Sequence, residues 1–291
     1  MTIDDALVRR LIDAQFPRWS DLPIRQVLPG GWDNRSFRLG NELLVRLPSA
    51  DGYVEAVAKE QRWLPILAPN VPLEIPEPVG HGEPTTDFPR PWSVYRWIDG
   101  RPAGDGPIDD LTGFARDTAA FLRALAGVQT PDGPLAGAHS FWRGAHPRVY
   151  DDDVQRSLHR LDGVIDTDAA SGVWDAALAT EITAPPVWFH GDVAHGNLLV
   201  RRGRLAAVID FGTSGMGDPA CDLAIAWTMF DAPARAAFRT ALPWDDDVWA
   251  RGRAWALWKA MLVAAGDTGS HDPEGEGRNA RGVIERILAD S

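Results

Sequence analysis

The run His190-Gly-Asp-Val-Ala-His-Gly-Asn197, followed by Val208-Ile-Asp-Phe-Gly212, constrains this chain more than any other stretch. Short apolar runs flank a turn that carries Asp192 and Asn197, and Asp210 ends the next apolar run. A carboxylate just after a strand can orient a substrate hydroxyl and accept its proton. An asparagine oxygen and a second carboxylate are hard ligands of the kind that hold Mg²⁺ on a nucleoside triphosphate. Any one of these residues alone reads as a turn cap. The three in this order argue for phosphoryl transfer.

The rest of the chain sets the context. Its 291 residues suffice for one large domain or two lobes. No apolar run reaches the length of a membrane span, and the N-terminus lacks the basic and apolar regions of a secretory signal. The single cysteine, Cys221, fits a reducing cytoplasm. A net charge of −12 disfavours nucleic acid and anionic membranes, and is compatible with a cationic small-molecule partner. Lys59 and Lys259 are the only lysines, so arginine carries nearly all the positive charge.

Helical spacing over 4–16 is followed by strand-like pieces at 24–28, 36–39, 42–47 and 92–97, with a helix over 53–67 that stops at the proline-rich stretch 65–78. The breaker-rich run 99–107 reads as a hinge. Beyond it the pattern is mainly helical: a stripe from Leu111 to Leu125, a long loop over 131–150, and helices near 154–165, 173–182, 221–230, 247–265 and 281–289. Strands at 187–190, 198–200 and 205–209 bracket the opening motif. The expected division is a strand-rich segment 1–98 and a larger segment 99–291.

Several other residues are candidates. Gly30 and Gly31, with Trp32, Asp33 and Asn34, join two strands and could turn backbone N–H groups toward phosphates. The stretch matches neither a P-loop nor a Rossmann turn. Arg46 on a strand and Glu60 on the next helix form a candidate phosphate clamp. His190 and His195 lack zinc-ligand companions; His190 is expected under the loop, and His195 in the turn. Asp218 and Asp222 follow, Asp218 as a support of the metal-binding loop and Asp222 as a residue reaching back to backbone amides near Asp192. Asp231, Asp245, Asp246, Asp247, Asp267, Glu274 and Glu276 could attract a cationic acceptor. The tryptophans, Trp255 and Trp258 among them, could form flat walls.

Taken together, His190-Gly-Asp-x₄-Asn197, Ile209-Asp-Phe-Gly212 and Gly217-Asp-Pro-x-x-Asp-Leu-Ala224 resemble the aminoglycoside phosphotransferase family. The resemblance implies an α+β, two-lobed protein-kinase-like fold, with a small antiparallel N-terminal lobe and a larger helical C-terminal lobe. It implies ATP or GTP with Mg²⁺ and transfer of the γ-phosphate to a small-molecule hydroxyl, an aminoglycoside-type antibiotic first among acceptors. It makes Asp192 the base and Asn197 and Asp210 the metal ligands, and it has Arg96 C=O and Ile98 N–H meet adenine. The family usually carries lysine where this chain has Arg46. A metabolite kinase, with a sugar, amino alcohol or homoserine as acceptor, and a nucleotide-binding module without turnover remain as alternatives.

Overall fold

The computed structural model describes residues 2–28, 30, 31, 33–267 and 273–290, with the backbone alone for 273–278. The described chain forms two compact units. The first comprises 1–101 with 199–201 and 206–212; the second comprises 102–198, 202–205 and 213–291.

In the first unit, helix α1 (Asp5–Gln15) starts where the Asp4 carboxylate accepts the Leu7 amide, and it stops before Pro17. Its buried stripe Leu7, Val8, Leu11 and Ile12 packs on a five-stranded antiparallel sheet. The sheet comprises β1 (Ile24–Gln26), β2 (Asn34–Leu39), β3 (Leu43–Pro48), β4 (Pro78–Gly82) and β5 (Trp92–Arg96), in the order β1-β2-β3-β5-β4. Period-two alternation turns Leu43, Val45 and Leu47 of β3 into the core. Each fully buried aliphatic side chain there contributes about 1.5–3 kcal/mol. Arg46 is thereby left for the opposite face, where helix α2 (Val54–Leu67) supplies Glu60.

Helix α2 matches the helix expected over 53–67 and runs through Pro65, which removes one intrahelical donor in the last turn, while buried Leu64 and Leu67 anchor that turn. One strand of this unit was not expected. Strand β4 lies at the sheet edge, where Pro78 is tolerated, and its proline and glycines concealed it in the sequence.

After β6 (Arg101–Pro102) comes the mainly helical second unit. It holds α3 (Leu111–Ala126), α4 (Asp151–Arg160), α5 (Thr167–Leu178), α6 (Ile225–Thr228), α7 (Ala232–Ala241), α8 (Asp246–Ala264) and α9 (Pro273–Ala289). Helix α8 has buried residues on every face, from Val248 to Met261, and so is the central helix of the unit. Helix α7 was not expected; Asp231 caps it, and its buried residues Ala234 and Phe238 stand one turn apart. The helix expected over 221–230 is instead a 3₁₀ turn, Pro219–Ala224, followed by the short α6. Strand β7 (Val187–Phe189) pairs antiparallel with β10 (Gly215–Gly217). Between them in sequence lie β8 (Leu198–Arg201) and β9 (Arg204–Val208). The bridge of Glu74 to Ala207 accounts for the place of 206–212, and hence of Asp210, in the first unit.

Candidate active site

Arg46 is the centre of the first unit's polar cluster. Its Nη1 donates to Glu60 Oε1 at 3.2 Å, and its Nη2 donates to Asp210 Oδ1 at 2.9 Å. Asp33 Oδ2 stands 3.6 Å from Nη2. The Tyr95 hydroxyl also donates to Glu60. Burial opposes the Arg46 charge, but Glu60, Asp210, Tyr95 and Asp33 outweigh it and raise the guanidinium well above its ordinary range. Burial and the neighbouring Asp210 carboxylate push the Asp33 carboxyl up, against the pull of Arg46. Asp210 has a left-handed backbone, with φ of 70°, which aspartate tolerates better than most residues.

Of the glycine turn, Gly30 and Gly31 are described, whereas Pro29 and Trp32 lie outside the described residues. A Cβ on Gly30 would meet nothing within 4 Å, so no protein atom requires glycine there. Gly31 C=O accepts from Arg35 at 2.7 Å. Arg96 ends β5, and its side chain pairs with Glu77 at 2.9 Å. The next residue, Trp97, donates its amide to Glu42 C=O, whereas the Ile98 N–H has no hydrogen-bond partner among the described residues.

In the second unit, the loop after β7 is held from beneath. Asp222, 3% exposed, accepts the amides of His190 at 2.8 Å and Gly191 at 2.7 Å. Burial pushes the Asp222 carboxyl up even so, against these two amides. Gly191 has φ of 90°, and a Cβ there would sit 2.8 Å from Thr213 C=O, so only glycine fits this turn. His190 is fully buried, and its Nδ1 accepts the Asp192 amide. Asn197 Nδ2 donates to both Asp192 C=O and Asp192 Oδ2, each at 2.9 Å. Asp218 forms a buried two-point pair with Arg251, at 2.6 Å and 3.3 Å.

The sequence reading missed Lys259, whose Nζ lies 3.0 Å from Asp192 Oδ1. Burial works against ionisation of Asp192, but the Lys259 charge and hydrogen bond, with the Arg143 charge, hold its carboxyl below the ordinary range. Asp192 is therefore poised as a carboxylate, able to orient a hydroxyl and take its proton. The scarcity of lysine was the one available signal. A cavity of about 240 Å³ opens at Asp192, with His195, Lys259, Arg143, Trp255 and Trp258 in its wall.

The described acidic residues suggested for a cationic acceptor do not line this cavity. Asp231 and Asp245 cap α7 and α8, and Asp247 is in the first turn of α8. Asp246 pairs with Arg239, and Asp267 with Arg160. The side chains of Glu274 and Glu276 lie outside the described residues.

Asn197 in the second unit and Asp210 in the first each keep an oxygen of the kind magnesium binds. The Asn197 amide nitrogen is committed to Asp192, which leaves its oxygen for a cation, and Asp210 uses only Oδ1 toward Arg46. Among the described residues no three His, Cys, Asp or Glu side chains form a metal cluster. Magnesium needs few protein ligands, because water and phosphate oxygens complete its shell.

A strand arginine paired with a helix glutamate, and a buried aspartate under a loop bearing an ionised carboxylate, define a kinase-like phosphotransferase. The chain belongs to the phosphotransferase enzyme family APH, whose model matches residues 25–255. It is similar to an aminoglycoside 3'-phosphotransferase of Escherichia coli, 35% identical over 79 residues, a match that spans only 29% of that protein's length and 24% of this chain. Among solved structures it is similar to the GDP and kanamycin complex of APH(2")-IIia, with a TM-score of 0.71 at 16% identity, covering 98% of this chain and 99% of that one. Macrolide 2'-phosphotransferase MphH from Brachybacterium faecium, an apoenzyme, gives a TM-score of 0.59 at 22% identity, covering 93% and 97%. These likenesses establish the α+β kinase-like fold. No helix among the described residues is long and apolar enough to cross a membrane.

Proposed function

We propose that this protein transfers the γ-phosphate of ATP or GTP to a hydroxyl of a small molecule in the cytoplasm. The observation that carries the reading is Asp192, held as a carboxylate at the wall of a cavity by the Asp222-supported loop. Asp192 orients the acceptor hydroxyl and takes its proton as the new O–P bond forms and the bond to the nucleoside diphosphate breaks. Arg46, positioned by Glu60, holds phosphate oxygens through its planar fork. The free Ile98 N–H and Arg96 C=O offer adenine a donor and an acceptor. Gly30 and Gly31 leave room for close approach to phosphates. Asn197 and Asp210 would hold Mg²⁺, which would neutralise phosphate charge. Asp218 and His190 support the loop rather than touch substrate.

The acceptor that the relatives favour is an antibiotic hydroxyl, of aminoglycoside type, with resistance as the consequence. A metabolite hydroxyl is the second reading, and the cations Arg143 and Lys259 at the cavity favour it. The test is Asp192→Ala: nucleotide should still raise the melting temperature, while labelled phosphate should no longer reach any acceptor. Undiminished transfer would sink the assignment of the base.

A further inference from the structure

The cavity at Asp192 has a charge and a texture that point to one acceptor class. Its apolar wall includes Trp255, Trp258 and Val263, and Asp192 is its one acidic residue among those described. Lys259 is already engaged by Asp192. Arg143 is different. It forms no ion pair among the described residues, although its charge acts on Asp192; its guanidinium lies over the Trp258 ring at 4.7 Å and the Trp255 ring at 5.2 Å, its Nη1 donates weakly to Phe141 C=O at 3.4 Å, and it also hydrogen-bonds the Tyr150 side chain.

The arginine is also held in place. Its carbonyl accepts from Ser140 Oγ at 3.0 Å, and Ser140 is fully buried. The next residue, Gly144, has φ of 82°, and a Cβ there would strike the Phe189 ring at 2.0 Å. Gly144 C=O accepts the Asp218 amide at 2.7 Å, so the Arg143 loop is tied to the Asp218–Arg251 pair. A guanidinium stacked on aromatic rings keeps its N–H edge for a planar, two-oxygen partner. A polycation entering this cavity would meet Arg143 and Lys259 as like charges.

We propose that the acceptor is a hydroxy acid with a flat apolar body: its carboxylate meets Arg143, its body lies against Trp255 and Trp258, and its hydroxyl reaches Asp192. This rests on the phosphotransferase reading for the role of Asp192, but the acceptor's chemistry is tested without nucleotide.

Three matched probes serve: para-hydroxymethylbenzoate, neutral para-methylbenzyl alcohol and cationic para-hydroxymethylbenzylamine, titrated into the full chain by saturation-transfer NMR. The benzoate should bind about ten-fold more tightly than the amine, as one charge-assisted contact allows, with the neutral alcohol between them. Arg143→Met should erase that advantage, and Arg143→Lys should keep part of it, since it retains charge but loses the fork. Thermal unfolding checks that each variant is folded. Equal or tighter binding of the amine, no binding of the benzoate, or an unchanged preference in folded Arg143→Met would overturn the proposal. None of these results touches the Asp192→Ala phosphate-transfer test, so the two readings fail separately.

Discussion

Replacing Arg251 by methionine should expose how the loop after β10 is held. Arg251 and Asp218 are only 3% and 2% exposed. Arg251 also donates to Thr180 Oγ1 at 3.0 Å and Glu181 C=O at 3.3 Å, so several acceptors lose their donor together. Removing one partner of such a pair costs about 3–5 kcal/mol, because the remaining charge stays buried and uncompensated. The two halves of the pair should respond differently to pH. Burial already pushes the Asp218 carboxyl up, and without Arg251 it can escape by taking a proton. Its penalty is then full above the raised pKa and fades as the pH falls through it, so the loss at about pH 5 should be smaller than at about pH 8. Asp218→Leu instead strands a guanidinium that cannot lose its proton, and its loss should be flat across that window. The double variant should recover most of the loss, since apolar side chains can replace a buried pair at little cost. Urea unfolding followed by tryptophan fluorescence measures all of this. A loss below about 1 kcal/mol for Arg251→Met, or equal pH slopes for the two single variants, would refute the reasoning.

Other perturbations test separate parts of the molecule. Burial lowers the Lys59 ammonium from its ordinary 10.5 to about 8, against the pull of Glu60 and Glu55. The unfolded chain therefore binds more protons between these values, and stability should rise by about 3 kcal/mol as pH climbs through them. In Lys59→Met the rise should vanish; parallel urea midpoints for the two proteins would contradict it. Gly191→Ala should cost about 2 kcal/mol or more and abolish phosphate transfer, because its φ and the Thr213 carbonyl leave no room for a Cβ. Near-normal turnover in that variant would show that the loop can relax. Lys259→Met should shift the acid limb of the pH–rate profile upward, since the depressed Asp192 pKa depends on Lys259. An unmoved limb would dissociate the pair from catalysis.

The most chemically loaded parts of the site were legible because they are local. Asp192, Asn197 and Asp210 fall within two strand–turn units, and the Arg46–Glu60 pair lies only 14 residues apart on a strand and the following helix. Lys259 and Arg251 were not legible, because they meet their partners across 67 and 33 residues through the packing of α8. Arg143 was hidden for another reason. It sits in a loop with no periodicity, and its orientation depends on Gly144 packing against Phe189. Aspartate before a helix and aspartate facing a ligand look alike in sequence; at Asp231 and Asp245 the cap accounts for the residue.

The cluster around Arg46 has a consequence for which form of a nucleotide can be used. One guanidinium faces Asp33, Glu60 and Asp210, so the cradle is anionic while those carboxylates are ionised. A bare triphosphate would be repelled from it, and to reach Arg46 it would have to displace carboxylates already bound there. A triphosphate that arrives with its divalent cation meets the opposite field. If Arg46 holds the nucleotide as proposed, the same three carboxylates that restrain the arginine would favour the chelated nucleotide, and free nucleotide should be a poor competitor rather than a tight inhibitor.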